Sequence, residues 1–167
     1  DITRLQTITD RFSKIGSEPV LEKRDIIEDT KNTVDYLQTR VSQQVVFTFK
    51  APEHPIYVDI NPALHSWTIE NLVKNAIDAM KGKGSLNIII SELEDIVKIS
   101  ITDSGKGIPK NQFTKVFEPG FTTKKRGWGL GLSLTKRIVQ EYHKGKIKVA
   151  HSEIGKGTTM QISYKTA

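Results

Sequence analysis

Two glycine clusters with a basic segment between them contain the residues best suited to chemistry in this 167-residue sequence. The first cluster is residues 103–107 (DSGKG), and the second is residues 127–132 (GWGLGL). Because glycine has no Cβ, its backbone can approach a ligand closely and leave N–H groups open to phosphate oxygens. The two clusters together predict a nucleotide site, with the residues between them as a flap over it.

Each cluster alone has a simpler explanation, because glycine pairs most often mark turns. The second cluster also fails the GxGxxG pattern of dinucleotide sites in its last interval. Gly155 and Lys156 fail the phosphate-loop pattern GxxxxGK[ST], since Gly157 follows them. The nucleotide interpretation therefore depends on how several segments combine.

A predicted helix over residues 61–80 has a polar face opposite its apolar stripe. It starts at an asparagine followed by proline, a strong start signal, and its polar face contains Asn71, Asn75 and Asp78. Asparagine is a mediocre helix former, so two of them one turn apart suggest a function, although solvated side chains would explain them equally well. Amide oxygens at this spacing suit a hard cation such as Mg²⁺.

The carboxylate of Asp103 follows a strand predicted over residues 96–101, in which alternate aliphatic side chains point inward. A carboxylate between a strand and a glycine turn is commonly only a turn residue. Its position next to the flap keeps a functional role open as well.

The elements that position these residues follow from the apolar pattern. Alternation predicts strands at residues 45–49, 56–60, 86–90 and 96–101, and a closing hairpin around residues 152–157. Helices are predicted after Asp25, which has Glu28 at capping-box spacing, and from the second glycine cluster to near Gly145. An apolar stripe over residues 2–15 predicts one more helix, which we interpret as the end of a longer coiled segment.

Composition limits the class of protein. The chain has no cysteine, which excludes disulfides and thiolate metal sites. Its longest aliphatic run, residues 88–90, is far short of the ~20 apolar residues that span a bilayer, so no membrane contact is expected. The net charge is +6, but the basic residues are dispersed and no aromatic platform accompanies them, so no nucleic-acid partner is expected.

Five segments then occur in an order that resembles sensor histidine kinases. They are residues 70–79 (N box), 103–109 (G1 box), 113–121 (F box), 127–132 (G2 box) and 155–159 (last glycine box). One box is weakly specific, but five in register over roughly residues 25–165 are highly specific. With these five boxes, the chain resembles the catalytic and ATP-binding domain of a two-component sensor histidine kinase. This domain is called HATPase_c or GHKL.

The resemblance implies an α/β fold, a two-layer sandwich of a mixed β-sheet packed on α-helices known as the Bergerat ATP-binding fold. Residues 1–18 are expected to be a short helical remnant, the end of the dimerisation and phosphoacceptor hairpin with its linker. Residues 19–167 are then the catalytic domain. The family implies a cytoplasmic domain of a homodimer, and it leaves open an anchor in the bacterial inner membrane.

The cofactors that the family implies are ATP and Mg²⁺. Asn75 is the expected Mg²⁺ ligand, with Asn71 supporting the metal or the triphosphate, and Lys124 is expected to neutralise charge during phosphoryl transfer. Asp103 matches the residue that accepts a hydrogen bond from the adenine amino group, and Thr158 steadies it or a bridging water. The implied nucleotide-contacting residues are Asn71, Lys74, Asn75, Asp78, Asp103, Gly105, Gly107, Ile108, Phe117, Thr122, Thr123, Lys124, Arg126, Gly127, Trp128, Gly129, Leu130, Gly131, Leu132 and Thr158.

The phosphoryl acceptor in this family is a histidine on a separate dimeric hairpin, and a cognate response regulator is the next partner. None of the four histidines in this chain has the expected His-Glu/Asp setting, so all four are predicted to be structural or surface residues: His54, His65, His143 and His151.

The sequence departs from the family at two positions. Asp78 stands where many relatives have a lysine, so charge compensation is expected from Lys74, Lys81 or the flap. Trp128 replaces the usual small residue of the G2 box, and its indole either covers the nucleotide or packs on the helix.

The sequence also bears on functions other than a kinase. An ATPase clamp would have a glutamate at position 71, whereas Glu70 lies about 100° away around the helix, so slow hydrolysis is expected. An ATP-gated regulatory module without kinase activity is the alternative function. A basic nucleic-acid binder is the third hypothesis, and it would show salt-sensitive affinity for DNA.

Overall fold

The computed structural model describes residues 19–41, 43–120 and 131–167. The helices are α1 (Ile26–Gln38), α2 (Pro62–Ala79) and α3 (Gly131–Arg137), and a π-helical turn (Ile138–Tyr142) continues α3. The strands are β1 (Glu22–Asp25), β2 (Val45–Lys50), β3 (Tyr57–Ile60), β4 (Gly84–Leu93), β5 (Ile96–Asp103), β6 (Lys146–Glu153) and β7 (Gly157–Lys165). The helix predicted within residues 1–18, and the domain division that depends on it, lie outside the described residues.

Five strands form one mixed sheet in the order β2-β4-β5-β7-β6. Strand β2 is parallel to β4, and the other neighbours are antiparallel. A parallel pair needs a long crossover, and the chain between β2 and β4 supplies one that contains β3 and α2. The inner face of the sheet packs its aliphatic side chains against α1 and α2, so the predicted two-layer α/β sandwich is confirmed.

Alternation along the central strands decides which side of the sheet is buried. On β5, Val97, Ile99 and Ile101 are buried, and Asp103 continues the same inward series. On β7, Thr158 is the first side chain of the inward series that ends at Tyr164. The register pairs Asp103 with Thr158, so the sheet itself places these two residues side by side at one end of the core.

Helix α2 begins as the sequence predicts. The side chain of Asn61 accepts a hydrogen bond from the Leu64 N–H at 3.1 Å, and Pro62 is the first helical residue. Ile69, Val73 and Ala76 are buried against the sheet. The predicted apolar stripe is therefore confirmed, and Asn71, Asn75 and Asp78 lie outside the buried stripe of the helix.

Two local predictions were incomplete. Strand β1 was not predicted because all four of its residues are charged, and among the described residues it pairs with β3 in a separate two-stranded ribbon. The helix after the second glycine cluster was predicted as one unit, but its described part, from Gly131, has seven α-helical residues before the π turn. In that turn the His143 N–H donates to the Ile138 carbonyl at 2.9 Å, which directs the histidine towards the start of α2.

The two inward-facing histidines are buried beside Tyr164. His143 Nε2 accepts a hydrogen bond from the Asn61 backbone N–H at 3.1 Å, and His65 Nε2 lies 2.8 Å from Thr30 Oγ1. Burial lowers the pKa of His143 to about 4. Burial, with a smaller effect of the neighbouring His143, lowers the pKa of His65 to about 3. Both rings are therefore neutral at physiological pH, and both serve as hydrogen-bonded parts of the protein interior.

Among the described residues, no helix is both long enough and apolar enough to cross a membrane.

Candidate nucleotide site

The polar face of α2 contains the residues that the sequence predicted there. Asn71 and Asn75 are half-buried one turn apart, and Asp78 is exposed near the end of the helix. Lys74 is half-exposed and pairs with the Glu70 carboxylate, with Nζ 3.1 Å from Oε1. The charge of Lys74 is therefore partly compensated by its own helix.

Asn71 makes a direct contact between α2 and the start of α3. Its Nδ2 donates to the hydroxyl of Thr135 at 2.8 Å, and that hydroxyl donates to the Gly131 carbonyl at 2.7 Å. A Cβ added at Gly131 would lie 3.0 Å from Asn71 Oδ1. A side chain at residue 131 would therefore press on the Asn71 amide.

Asp103 is a buried carboxylate at the end of β5, with 7% of its surface exposed. Its Oδ1 accepts a hydrogen bond from the Gly105 N–H at 2.8 Å. Burial raises the pKa of Asp103, and hydrogen bonds from the backbone N–H groups of Gly105 and Thr158 partly oppose that shift. Among the described residues, no cationic side chain pairs with this carboxylate.

The first glycine cluster packs against other parts of the protein. A Cβ at Gly105 would lie 2.7 Å from the backbone of Ala79 at the end of α2. Gly107 has a φ of +82°, and a Cβ there would collide with the backbone carbonyl of Glu153 on β6. These glycines therefore allow the turn after β5 to fit between α2 and the β6–β7 hairpin, a role that does not require a ligand.

Ser152 joins the turn after β5 to the closing hairpin. No sequence motif indicated a role for this residue. Its Oγ accepts from the Ile108 N–H at 2.7 Å and lies 2.8 Å from Thr158 Oγ1. The Thr158 hydroxyl is therefore hydrogen-bonded to Ser152, while the Thr158 backbone N–H donates to the Asp103 carboxylate. A bulge between Val149 and His151 sets this register, and no sequence signal gave the position of that bulge.

Two further predicted site residues pack into the core. Phe117 is buried, with Lys136 Nζ 5.9 Å from its ring centroid. Leu132 is half-buried against the same core. The other predicted contacts lie outside the described residues: Thr122, Thr123, Lys124, Arg126, Gly127, Trp128, Gly129 and Leu130.

The histidines lie where structural or surface roles would place them. His65 and His143 are buried, and His54 and His151 are exposed. His54 Nε2 lies 3.0 Å from a Glu92 carboxylate oxygen across two surface segments.

The donor set fits Mg²⁺ that arrives with phosphates. No group of three or more His, Cys, Asp or Glu side chains in the described ranges could hold a metal ion by itself. The α2 face supplies amide groups from Asn71 and Asn75, and the contact with Thr135 uses the nitrogen of the Asn71 amide, not its oxygen. Mg²⁺ is commonly bound by one or two protein oxygens plus substrate phosphates and waters, which suits this arrangement.

Comparison with known proteins agrees with this geometry. The family model described as Histidine kinase-, DNA gyrase B-, and HSP90-like ATPase matches residues 63–167. Sensor histidine kinase ZraS of Escherichia coli strain K12 is 40% identical over 121 residues, which cover 72% of this chain and 26% of that protein. Sporulation kinase E of Bacillus subtilis strain 168 is 32% identical over 171 residues, covering 98% of this chain and 22% of that protein.

Solved structures show the same fold. The nucleotide-free catalytic domain of histidine kinase ThkA matches with a TM-score of 0.79 at 26% identity, covering 88% of this chain and 96% of that one. ThkA in complex with the response regulator TrrA matches with a TM-score of 0.74 at 25% identity, covering 99% of this chain and 48% of that one. This chain spans about a quarter of the length of the curated relatives. It belongs to the family of histidine kinase-, DNA gyrase B- and HSP90-like ATPases, as a histidine kinase catalytic and ATP-binding domain.

Proposed function

We propose that this domain binds Mg-ATP and donates the γ-phosphoryl group to a histidine on a separate dimerisation domain of the same two-component kinase. In that reaction the bond from the γ-phosphorus to the ADP oxygen breaks, and a bond from phosphorus to an imidazole nitrogen forms. The relative named sensor histidine kinase ZraS supports the reaction class. ThkA, solved with its response regulator, supports a response regulator as the partner that next receives the phosphoryl group.

The observation that most favours a purine nucleotide is the buried Asp103 carboxylate. Desolvation makes a buried charge costly unless partners compensate it, and Asp103 has two backbone donors and no cationic partner among the described residues. An adenine amino group would supply a further donor. Guanine has a carbonyl oxygen at that place, which would face the carboxylate, so we propose that Asp103 selects ATP over GTP.

Asn75 and Asn71 are the proposed ligands or water-mediated partners of Mg²⁺. A bound Mg²⁺ would neutralise charge on the phosphates, and such positioning and neutralisation supply most of the catalysis in phosphoryl transfer. The side chains of this chain would hold the triphosphate along α2, and Lys124 in the flap is the proposed cation nearest the transferred group. A cytoplasmic location, where ATP is available, is part of this proposal.

Transfer in trans tests the proposal. The chain is mixed with Mg-ATP labelled in the γ position and with a hairpin that contains the acceptor histidine of the same kinase. We expect phosphate on the hairpin that is labile in acid and stable in base, as phosphohistidine is. A hairpin whose histidine is replaced by glutamine is the control and should stay unlabelled.

Two results would contradict this proposal. ATP binding without transfer would favour the ATP-gated regulatory module. Rapid ATP turnover by the isolated domain would favour an ATPase clamp instead, although position 71 lacks the glutamate that such a clamp would use.

A further inference from the structure

The hydroxyl of Thr135 fixes the orientation of the Asn71 amide. Thr135 is fully buried, and its hydroxyl proton is donated to the Gly131 carbonyl one turn earlier at 2.7 Å. A threonine hydroxyl has one proton, so towards Asn71 it can only accept. The group that lies 2.8 Å from it must therefore be the NH₂ of the amide.

Gly131 has no side chain that would press on the Asn71 amide. A Cβ at residue 131 would lie 3.0 Å from Oδ1 and 3.2 Å from Nδ2 of Asn71. Contacts this short are tighter than packed side chains normally make, so even a methyl group would push against the amide. Thr135 therefore holds the nitrogen, and Gly131 places no side chain against the oxygen.

We propose that Thr135 is a positioning residue that orients the Asn71 amide oxygen towards the Mg²⁺ accompanying ATP, directly or through a water ligand. This inference rests on the proposed function, and Thr135 itself touches neither nucleotide nor metal. It also gives a physical reason for an amide at position 71. The Thr135 hydroxyl donates its proton to the Gly131 carbonyl, so it needs a donor from residue 71. An amide can donate through its NH₂ group, whereas a carboxylate cannot.

Calorimetry with the ATP analogue AMPPNP, with Mg²⁺ and with EDTA, tests the assignment. Thr135→Val removes the hydroxyl at nearly constant volume, and we expect it to weaken Mg-AMPPNP binding about tenfold, the effect of one hydrogen bond. Affinity without Mg²⁺ should stay within about twofold of the wild-type value. Thr135→Ser keeps the hydroxyl and should restore the magnesium-dependent affinity.

Thr68→Val is the matched control. Thr68 is also fully buried and lies on α2, but its hydroxyl donates only to the Leu64 carbonyl of its own helix, at 2.9 Å. A general loss of packing would weaken binding with and without Mg²⁺, or would appear in Thr68→Val as well. Either result would overturn the positioning role.

A double-mutant cycle tests whether Thr135 acts through Asn71. Once Asn71→Ala has removed the amide, adding Thr135→Val should have no further effect on Mg-AMPPNP affinity. Additive losses would contradict the inference.

The variant Gly131→Ala provides a second test if Thr135→Val does not fold. It leaves Thr135 intact and should reduce the magnesium-dependent affinity by pressing on Oδ1, and undiminished affinity would count against us.

The outcomes separate the two proposals. If the wild-type chain binds Mg-AMPPNP and Thr135→Val binds equally well, only the role of Thr135 fails. If the wild-type chain does not bind Mg-AMPPNP, the proposed function fails and this inference fails with it.

Discussion

Two regions of the candidate site are built in different ways. The sheet-end region, residues 103–108 with the β6–β7 hairpin, is held by backbone N–H groups that donate to side-chain oxygens of Asp103 and Ser152 and to backbone carbonyls, and by glycines that allow close packing. The helix-pair region, α2 with the start of α3, depends on a side-chain bond from Asn71 to Thr135. The sheet end therefore combines several separate hydrogen bonds with close glycine contacts, whereas the contact between the two helices relies on one side-chain bond. We therefore expect damage to the glycine packing of the sheet end to affect folding, and changes at Asp103 or in the helix pair to affect ligand binding.

The largest expected effect is on stability, in the sheet-end region. Gly107→Ala should lower the free energy of unfolding by roughly 3 kcal/mol or more, because a positive φ is strained and the new Cβ meets the Glu153 backbone. Gly155→Ala is the control, since Gly155 has a φ of +81° and open space around it. That control should cost only about 1 kcal/mol in urea denaturation. Equal losses would show that close packing at Gly107 has no special role.

The next effect concerns Asp103, the carboxylate in the sheet-end region that we assign to recognition of the adenine amino group. Asp103→Asn should weaken ATP binding by about one to two decades, since a hydrogen bond to a charged group contributes roughly 1.5 to 3 kcal/mol. The domain should stay folded, because the amide oxygen can still accept from the Gly105 N–H. Calorimetry measures the change, with Asp59→Asn on the exposed face of β3 as the control. Unchanged ATP affinity would remove Asp103 from the site.

A pH effect should appear where the π turn meets α2. The folded-state pKa values of His143 and His65, about 4 and about 3, lie below the ~6.5 of an unfolded histidine, so the unfolded chain binds protons first as the pH falls. Their contribution to stability is complete above pH ~6.5 and decreases towards pH ~4, by about 1.4 kcal/mol per pH unit for each histidine. The raised pKa of Asp103 acts in the opposite direction at the sheet end.

Urea denaturation between pH 7.5 and 5.0 measures this dependence. His143→Gln should make the slope of stability against pH shallower, because one of the two buried histidines with a lowered pKa is gone. His151→Gln changes an exposed histidine on β6 and should leave the slope unchanged. A slope unaffected by His143→Gln would mean that this histidine is not the group that takes up the proton.

The smallest effect is expected from the Lys74–Glu70 ion pair on α2. Lys74→Met should lower the free energy of unfolding by less than ~1 kcal/mol, because the lysine is half-exposed and solvent screens the pair. Lys31→Met on α1 is a matched control, since Lys31 pairs with Asp35 at the same helical spacing and at 3.0 Å. A loss of ATP affinity in Lys74→Met alone would show that this lysine, despite its partner, also serves the phosphates.

Much of the fold could be predicted from local patterns. The Asn61 cap, the apolar stripe of α2 and the inward series of β5 each depend on residues close in sequence, and each is found in the structure. Strand β1 could not be predicted, because its four charged residues show no alternation and its strand partner, β3, lies more than 30 residues away along the chain. Propensity gives no signal where tertiary pairing alone selects the strand.

For the site, spacing along the chain identified the candidates but could not say which atoms meet. Asn71, Asn75 and Asp103 were selected from their types and positions, and their roles towards a nucleotide stay predictions. Thr135 and Ser152 were missed, because a single buried threonine or serine has no periodic signal. Their importance comes from neighbours 64 and 44 residues away in sequence, at Asn71 and Ile108 respectively.

The sequence alone determined the family, the two-layer α/β class and the helix on which the two asparagines lie one turn apart. These features depend on short-range order, which the type and spacing of residues specify. Only the tertiary structure decided that Asp103 is buried without a cationic partner among the described residues, and that Thr135 orients the Asn71 amide. Desolvation and hydrogen-bond direction depend on atoms that folding brings together from distant segments, so the order of residues along the chain does not reveal them.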